Sequence, residues 1–253
     1  MHHFPKQNDI LVNQNDDFPQ ITPLSTNALL IIFGDKIDRS VNKKVIQLYT
    51  ALKQKNWPWL IELTPAYASL SVLYDIHFIK KNYKLEGLIF DWVKNEIESI
   101  VFQIPDADSI SPITIKIPIC FDEALPNDLA LMSQKLGLPA SRIIELFLNK
   151  TYYVYMLGFL PGFTYMGEVD NLIAIPRKET PVATKAGSVG IAGNQTGIYP
   201  LNSLGGWHIV GHTSVNVFSI KKTPPNLLEP NMMVKFIQIS EQQYFTTYNT
   251  TNN

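Results

Sequence analysis

The residues best suited to chemistry lie between Gly158 and Gly211, a stretch that holds ten of the thirteen glycines. Its polar members include Lys178, Ser188, Asn194, Gln195 and Thr196, with His212 just beyond it, and its aromatic members include Phe159, Phe163, Tyr199 and Trp207. Asn194 and Gln195 each offer donors and an acceptor, as binding a lactam or amide requires. Ser188 and Thr196 add hydroxyls, while Tyr199 and Trp207 add flat apolar walls with a polar tip. Pro161, between Gly158 and Gly162, sets a turn that leaves Phe163 as a wall. Each of these residues serves equally well in a turn or a core, and it is their density that points to a pocket. Three segments, around Phe159–Phe163, Gly193–Thr196 and Gly206–His208, are therefore expected on one concave face, with Gln195 and His212 directed into it.

Several other chemistries are excluded. The chain has no Gly-x-x-x-x-Gly-Lys-Ser/Thr phosphate loop and no Gly-x-Ser-x-Gly elbow. Gly187, Gly190 and Gly193 are spaced by three, unlike the dinucleotide fingerprint. His208 and His212 could share a site, but no carboxylate accompanies them, so no metal site is expected. No complete nucleophile–base set is visible either, so the chain is not expected to be active alone. Its 21 basic and 22 acidic residues balance to −1, which removes the electrostatic argument for nucleic acid or an anionic membrane. The single cysteine, Cys120, sits in the apolar run Ile117–Phe121 and reads as a buried hydrophobe. With no signal-peptide core and no run long enough to span a bilayer, a cytoplasmic location is expected.

The elements that must position these residues fall into two halves. Residues 1–20 are polar and read as poorly ordered. Within 21–108, apolar runs and 3.6-residue periods predict a strand at Ala28–Phe33, a helix begun by Asp38 or Ser40, and strands at Leu60–Thr64 and Ser69–Tyr74. A helix through Leu85–Ile97 and a strand at Val101–Ile104 follow. That order is ferredoxin-like. Pro105–Pro112 reads as the linker. In 109–241 a strand at Ile113–Ile119 precedes two structural helices, Asp128–Leu136 and Ser141–Leu148. Short strands are then predicted at Tyr152–Leu157, Leu172–Ile175, His208–Val210, Val215–Ser219 and Met233–Ile239, as in a β-barrel or sandwich. Residues 242–253 are expected to fray.

Four runs carry a family resemblance: Gly158–Gly167, Pro176–Pro181, Gly187–Pro200 and Gly205–Trp207. They resemble the B subunits of 5-oxoprolinase, also called the KipI or allophanate hydrolase subunit 1 family, and the similarity extends over about Ile21–Ser240. The resemblance implies an α+β chain with an N-terminal ferredoxin-like domain and a C-terminal cyclophilin-like β-barrel. It implies a hydrolase complex with homologous C-type and further A-type subunits, opening 5-oxoproline to glutamate at the expense of ATP. The ATP is used by the complex, and no site for it is assigned to this chain. Related domains occur in urea amidolyases, and some members instead inhibit a sensor histidine kinase. The chain departs from the family at Phe147, where His is usual, and at His212, where Arg is usual. It also departs at Leu204, where Pro is expected, and at Val182, where the Arg after Pro181 is missing.

Overall fold

A computed structural model describes residues 19–101 and 112–251. The N-terminal segment and nearly all of the expected linker lie outside the described residues. The chain forms two compact units, Met1–Ser109 and Ile110–Asn253.

The first unit opens with a hairpin of β1 (Gln20–Ser25) and β2 (Ala28–Ile32), followed by α1 (Arg39–Gln54). Next come β3 (Leu60–Pro65), β4 (Ser69–Tyr74), α2 (Ile76–Asn82) and α3 (Ile89–Val101). The strands form one antiparallel sheet in the order β1-β2-β4-β3. Alternation along β4 buries Leu70, Val72 and Tyr74, and these meet Val45, Leu48 and Leu52 of α1 and Val93 and Ile97 of α3. Asp38 caps α1 by accepting from the Ser40 and Val41 amides at 2.7 and 3.2 Å. The buried Asn42 amide donates to the Ala66 and Tyr67 carbonyls, both at 2.9 Å, and ties α1 to the β3–β4 turn.

Two elements here escape the sequence pattern. Strand β1 is half polar and only partly covered, so it shows no apolar run. Helix α2 is seven residues long with one buried side chain, Ile79, too little to display a period. At the expected strand Val101–Ile104, Val101 is instead the last residue of α3, and the rest lies outside the described residues.

The second unit is a nearly closed, barrel-like sheet. Its strands are β5 (Thr114–Ile119), β6 (Tyr152–Leu157), β7 (Thr164–Gly167), β9 (Ser188–Ala192), β10 (Gln195–Ile198), β12 (His208–His212) and β13 (Met233–Gln238). Their order is β12-β9-β10-β7-β6-β13-β5, with β5 and β13 parallel and the other pairs antiparallel. Just past β5, Cys120 and His212 exchange backbone hydrogen bonds of 2.8 Å each way, which draws the two outer strands together. A separate ribbon pairs β8 (Val182–Thr184) with β11 (Ser203–Gly205). Helices α4 (Leu129–Leu136) and α5 (Ala140–Asn149) add Met132, Ile143 and Phe147 to the barrel core.

Two expectations for this unit are corrected. Leu172–Ile175 is not a strand: Asn171–Ile173 forms a 3₁₀ turn, capped by the Asp170 carboxylate accepting from the Leu172 amide at 3.0 Å. Val215–Ser219 is irregular, with a lone bridge between Phe218 and Asn226. Over the stretch expected to fray, α6 (Glu241–Thr251) packs Tyr244 against Cys120, Leu125 and Ile239. That anchor comes from long-range packing, which a polar local sequence does not announce.

Candidate functional site

Half of the glycines in the stretch, Gly167, Gly190, Gly197, Gly205 and Gly211, stand in strands rather than loops. Gly190 of β9 stands opposite Gly197 of β10, and Gly197 stands opposite Tyr165 of β7. A Cβ on Gly197 would lie 2.7 Å from the Thr164 carbonyl oxygen and 2.9 Å from the Phe163 ring. On Gly190 it would lie 2.9 Å from the Trp207 Cβ. Bare backbone on neighbouring strands thus leaves room for aromatic rings.

Phe163 is the hub of these rings. It makes edge contacts with Phe159, Tyr165, Tyr199 and Trp207 at centroid separations of 5.5, 4.8, 5.0 and 5.3 Å. The turn Gly158–Phe163 presents Phe159 and Phe163 together, closed by the Phe163 amide donating to the Leu160 carbonyl at 2.9 Å. The exposed Pro161 sits within that turn. These rings wall a cavity of about 210 Å³, completed by Arg177, Lys178 and the ribbon residues Leu204 and Gly205.

The loop carrying the two cations is held at three points. The Lys178 amide donates to the Gly206 carbonyl at 2.7 Å. The Lys178 ammonium pairs with Asp128 at 2.7 Å, in a contact whose two side chains are 15% and 19% exposed. Asp128, just before α4, also accepts from the Ile209 amide at 2.6 Å. Finally, His208 Nε2 lies 3.1 Å from the Pro176 carbonyl; since a carbonyl only accepts, Nε2 carries the hydrogen. Lys178 is therefore committed to Asp128, and Arg177 is the cation left at the cavity.

Electrostatics keep the walls neutral. Burial pushes the Tyr199 hydroxyl up to about 12, against the smaller pull of a hydrogen bond from the Trp207 backbone. Burial also raises Tyr165, with the Arg177 charge opposing it. Both hydroxyls stay protonated at neutral pH, so these walls carry no charge.

Of the expected site residues, Phe159, Phe163, Lys178, Tyr199 and Trp207 line this cavity. Asn194, Gln195, Thr196 and His212 do not. Gly193 and Asn194 form the β9–β10 hairpin turn, Gly193 having φ of +59°, and the Asn194 carbonyl accepts from the Val169 amide at 2.9 Å. Gln195 is the first residue of β10, opposite Ala192 and Gly167. The buried Thr196 hydroxyl donates to the Gly190 carbonyl at 2.9 Å. Of the three segments expected on one face, two line this cavity, while Gly193–Thr196 is spent on strand pairing. His212, 3% exposed, lines a different cavity at the barrel seam. Its Nε2 donates to the Pro126 carbonyl at 2.7 Å, and its Nδ1 lies 3.5 Å from the Ser188 hydroxyl.

Two lining residues, Arg177 and Tyr165, are absent from the expected site although both stand in the runs that carry the resemblance. A lone Arg and Tyr become pocket residues only when β7 and the 176–178 loop meet. Of the departures, Phe147 is fully buried among Phe121, Tyr152 and Phe236, in the core and away from the cavity. Val182 and Leu204 are exposed on the ribbon.

The family described as "Carboxyltransferase domain, subdomain C and D" matches residues 19–228 of the chain. The 5-oxoprolinase B subunit of Bacillus subtilis (strain 168) is 36% identical over 228 residues, covering 89% of this chain and 95% of that protein. The chain belongs to the family of 5-oxoprolinase B subunits. The B subunit of the Escherichia coli O157:H7 enzyme is 41% identical over 128 residues, covering 50% of this chain and 59% of that protein. The crystal structure of TTHA0988 superposes with a TM-score of 0.71 at 30% identity, over 84% of this chain and 40% of that one. The chain thus spans nearly all of the first relative and well under half of the TTHA0988 chain.

Proposed function

We propose that this chain is the B-type subunit of an ATP-dependent amide hydrolase, a 5-oxoprolinase that works with C-type and A-type subunits to open 5-oxoproline to glutamate. The carrying observation is the cavity in which Arg177 meets neutral Tyr165 and Tyr199 hydroxyls between aromatic walls. A small anionic lactam matches it: the ring lies between flat walls, the carboxylate meets a guanidinium, and the lactam carbonyl meets neutral donors. ATP makes chemical sense, because an unstrained lactam is a poor electrophile and phosphorylating its carbonyl oxygen creates a leaving group. Fixed donors then hold the developing charge. With no phosphate loop and no nucleophile–base pair in the sequence, this reading leaves ATP and the activating groups to the partner subunits. It also treats 21–108 as the ferredoxin-like and 109–241 as the cyclophilin-like domain, in a cytoplasmic complex.

The test is reconstitution with candidate C-type and A-type subunits, measuring 5-oxoproline-dependent ATP hydrolysis. Arg177→Ala should weaken the apparent affinity for 5-oxoproline by about 10–100-fold, as expected for losing a hydrogen bond to a charged group worth about 1.5–3 kcal/mol. Unchanged kinetics in an active complex would remove Arg177 from the site. A second reading, a KipI-like regulator of a histidine kinase, draws on the cavity mouth, where Phe159 is 62% and Leu204 is 67% exposed. A protein partner would cover such a rim. On that reading the chain inhibits kinase autophosphorylation, and the reconstituted mixture shows no 5-oxoproline-dependent turnover.

A further inference from the structure

The second unit holds another cavity, of about 460 Å³, that the lactam reading does not use. One wall is the barrel seam, with Leu125, Pro126 and His212. The opposite wall is α6, whose Tyr244 is the buried anchor while Phe245 and Tyr248 line the space half-exposed. These rings are ordered among themselves: Tyr244 meets Phe245 edge-on at 5.3 Å and stacks with Tyr248 at 5.8 Å. Flat apolar surface is thus presented to a space that the described side chains of this unit leave open.

The polar groups of the lining have one sense. Lys185 reaches the cavity, and among the described residues it forms no ion pair. Asn202 spends its carbonyl oxygen on the Ala186 amide at 2.8 Å, which leaves its NH₂ as a donor. His212 is occupied at Nε2 by the Pro126 carbonyl and faces Ser188 at Nδ1, so it serves as neutral wall. Among the described residues that line the cavity there is no carboxylate. A cation, an amide donor and stacked rings suit one class of ligand.

We infer that the seam cavity binds a small carboxylate with a flat, ring-shaped body, its charge taken by Lys185 and the Asn202 amide and its ring by Phe245 and Tyr248. The site is separate from the Arg177 cavity, and α6 completes it. Because the helix supplies the aromatic wall, occupancy should also hold α6 against the seam.

Benzoate is the probe, followed by NMR of the Phe and Tyr rings in the full chain. The expected result is saturable binding in the millimolar range, weakened at least fivefold by Lys185→Gln and retained by Lys185→Arg. Tyr248→Ala should weaken it as well, whereas Arg177→Ala, in the other cavity suited to a ring carboxylate, should leave the titration of the Tyr244, Phe245 and Tyr248 ring signals intact. Lys185 and Tyr248 are both exposed enough to be changed without opening the core. Absence of saturable binding, undiminished binding by Lys185→Gln, or loss of binding in Arg177→Ala would each overturn the inference. None of these outcomes depends on 5-oxoproline turnover, so this inference and the lactam reading can fail separately.

Discussion

Asp128→Ala offers the sharpest test of how the 176–178 loop is built. The carboxylate accepts from the Ile209 amide at 2.6 Å and pairs with Lys178 at 2.7 Å. A hydrogen bond to a charged group contributes about 1.5–3 kcal/mol, and stranding its buried donor adds desolvation cost. The Lys178 pair is mostly buried but not sealed, so it adds about 0.5–1 kcal/mol, near the upper end for partly exposed pairs. The alanine variant should therefore lose about 2–4 kcal/mol of stability in the second unit. Asp128→Asn keeps an acceptor for Ile209 but removes the charge, and should lose only about 1 kcal/mol. The local readout is hydrogen exchange at the Ile209 amide, which should speed up strongly in Asp128→Ala and modestly in Asp128→Asn. Affinity for 5-oxoproline should follow the same order, because Arg177 sits beside the released Lys178. If both variants exchange and bind like the parent, the clamp is incidental and the positioning argument falls.

Two further outcomes follow from the same geometry. Gly197→Ala sets a methyl 2.7 Å from the Thr164 carbonyl oxygen, a backbone atom of the paired strand that cannot swing aside. It should lower stability by about 1–3 kcal/mol in urea titration and disturb the Phe163 ring signals, and an unperturbed variant would contradict the glycine floor. His208 and His212 are both held below the ordinary value of 6.5, chiefly by burial. Unfolding then takes up protons, so their neutral-form stabilisation is fully present above pH 6.5 and is lost as pH falls toward their folded values. His212→Gln should flatten the thermal-melting profile between pH 5 and 7; an equally steep profile would reassign the effect to other groups.

Much of this molecule was legible because local patterns and long-range packing agree. Strand β6, helices α1, α4 and α5, and the aromatic members of the cavity all announce themselves through apolar runs, 3.6-residue periods or residue type. Composition also marked where backbone meets rings, since ten glycines lie among aromatics. What composition leaves open is which groups share a space. Gln195 and Asn194 look like ligands of an amide, yet pairing of β9 with β10 makes them a hairpin and its first rung. Arg177 and Lys178 are neighbours of like charge in sequence. Only the approach of Asp128, fifty residues earlier, decides that Lys178 is paired and Arg177 is the cation left at the cavity. His212 is likewise drawn to the seam because its backbone pairs with Cys120, a contact across ninety-two positions of chain. Residue type determines what a side chain can do, and strand register and closure determine beside what it must do it.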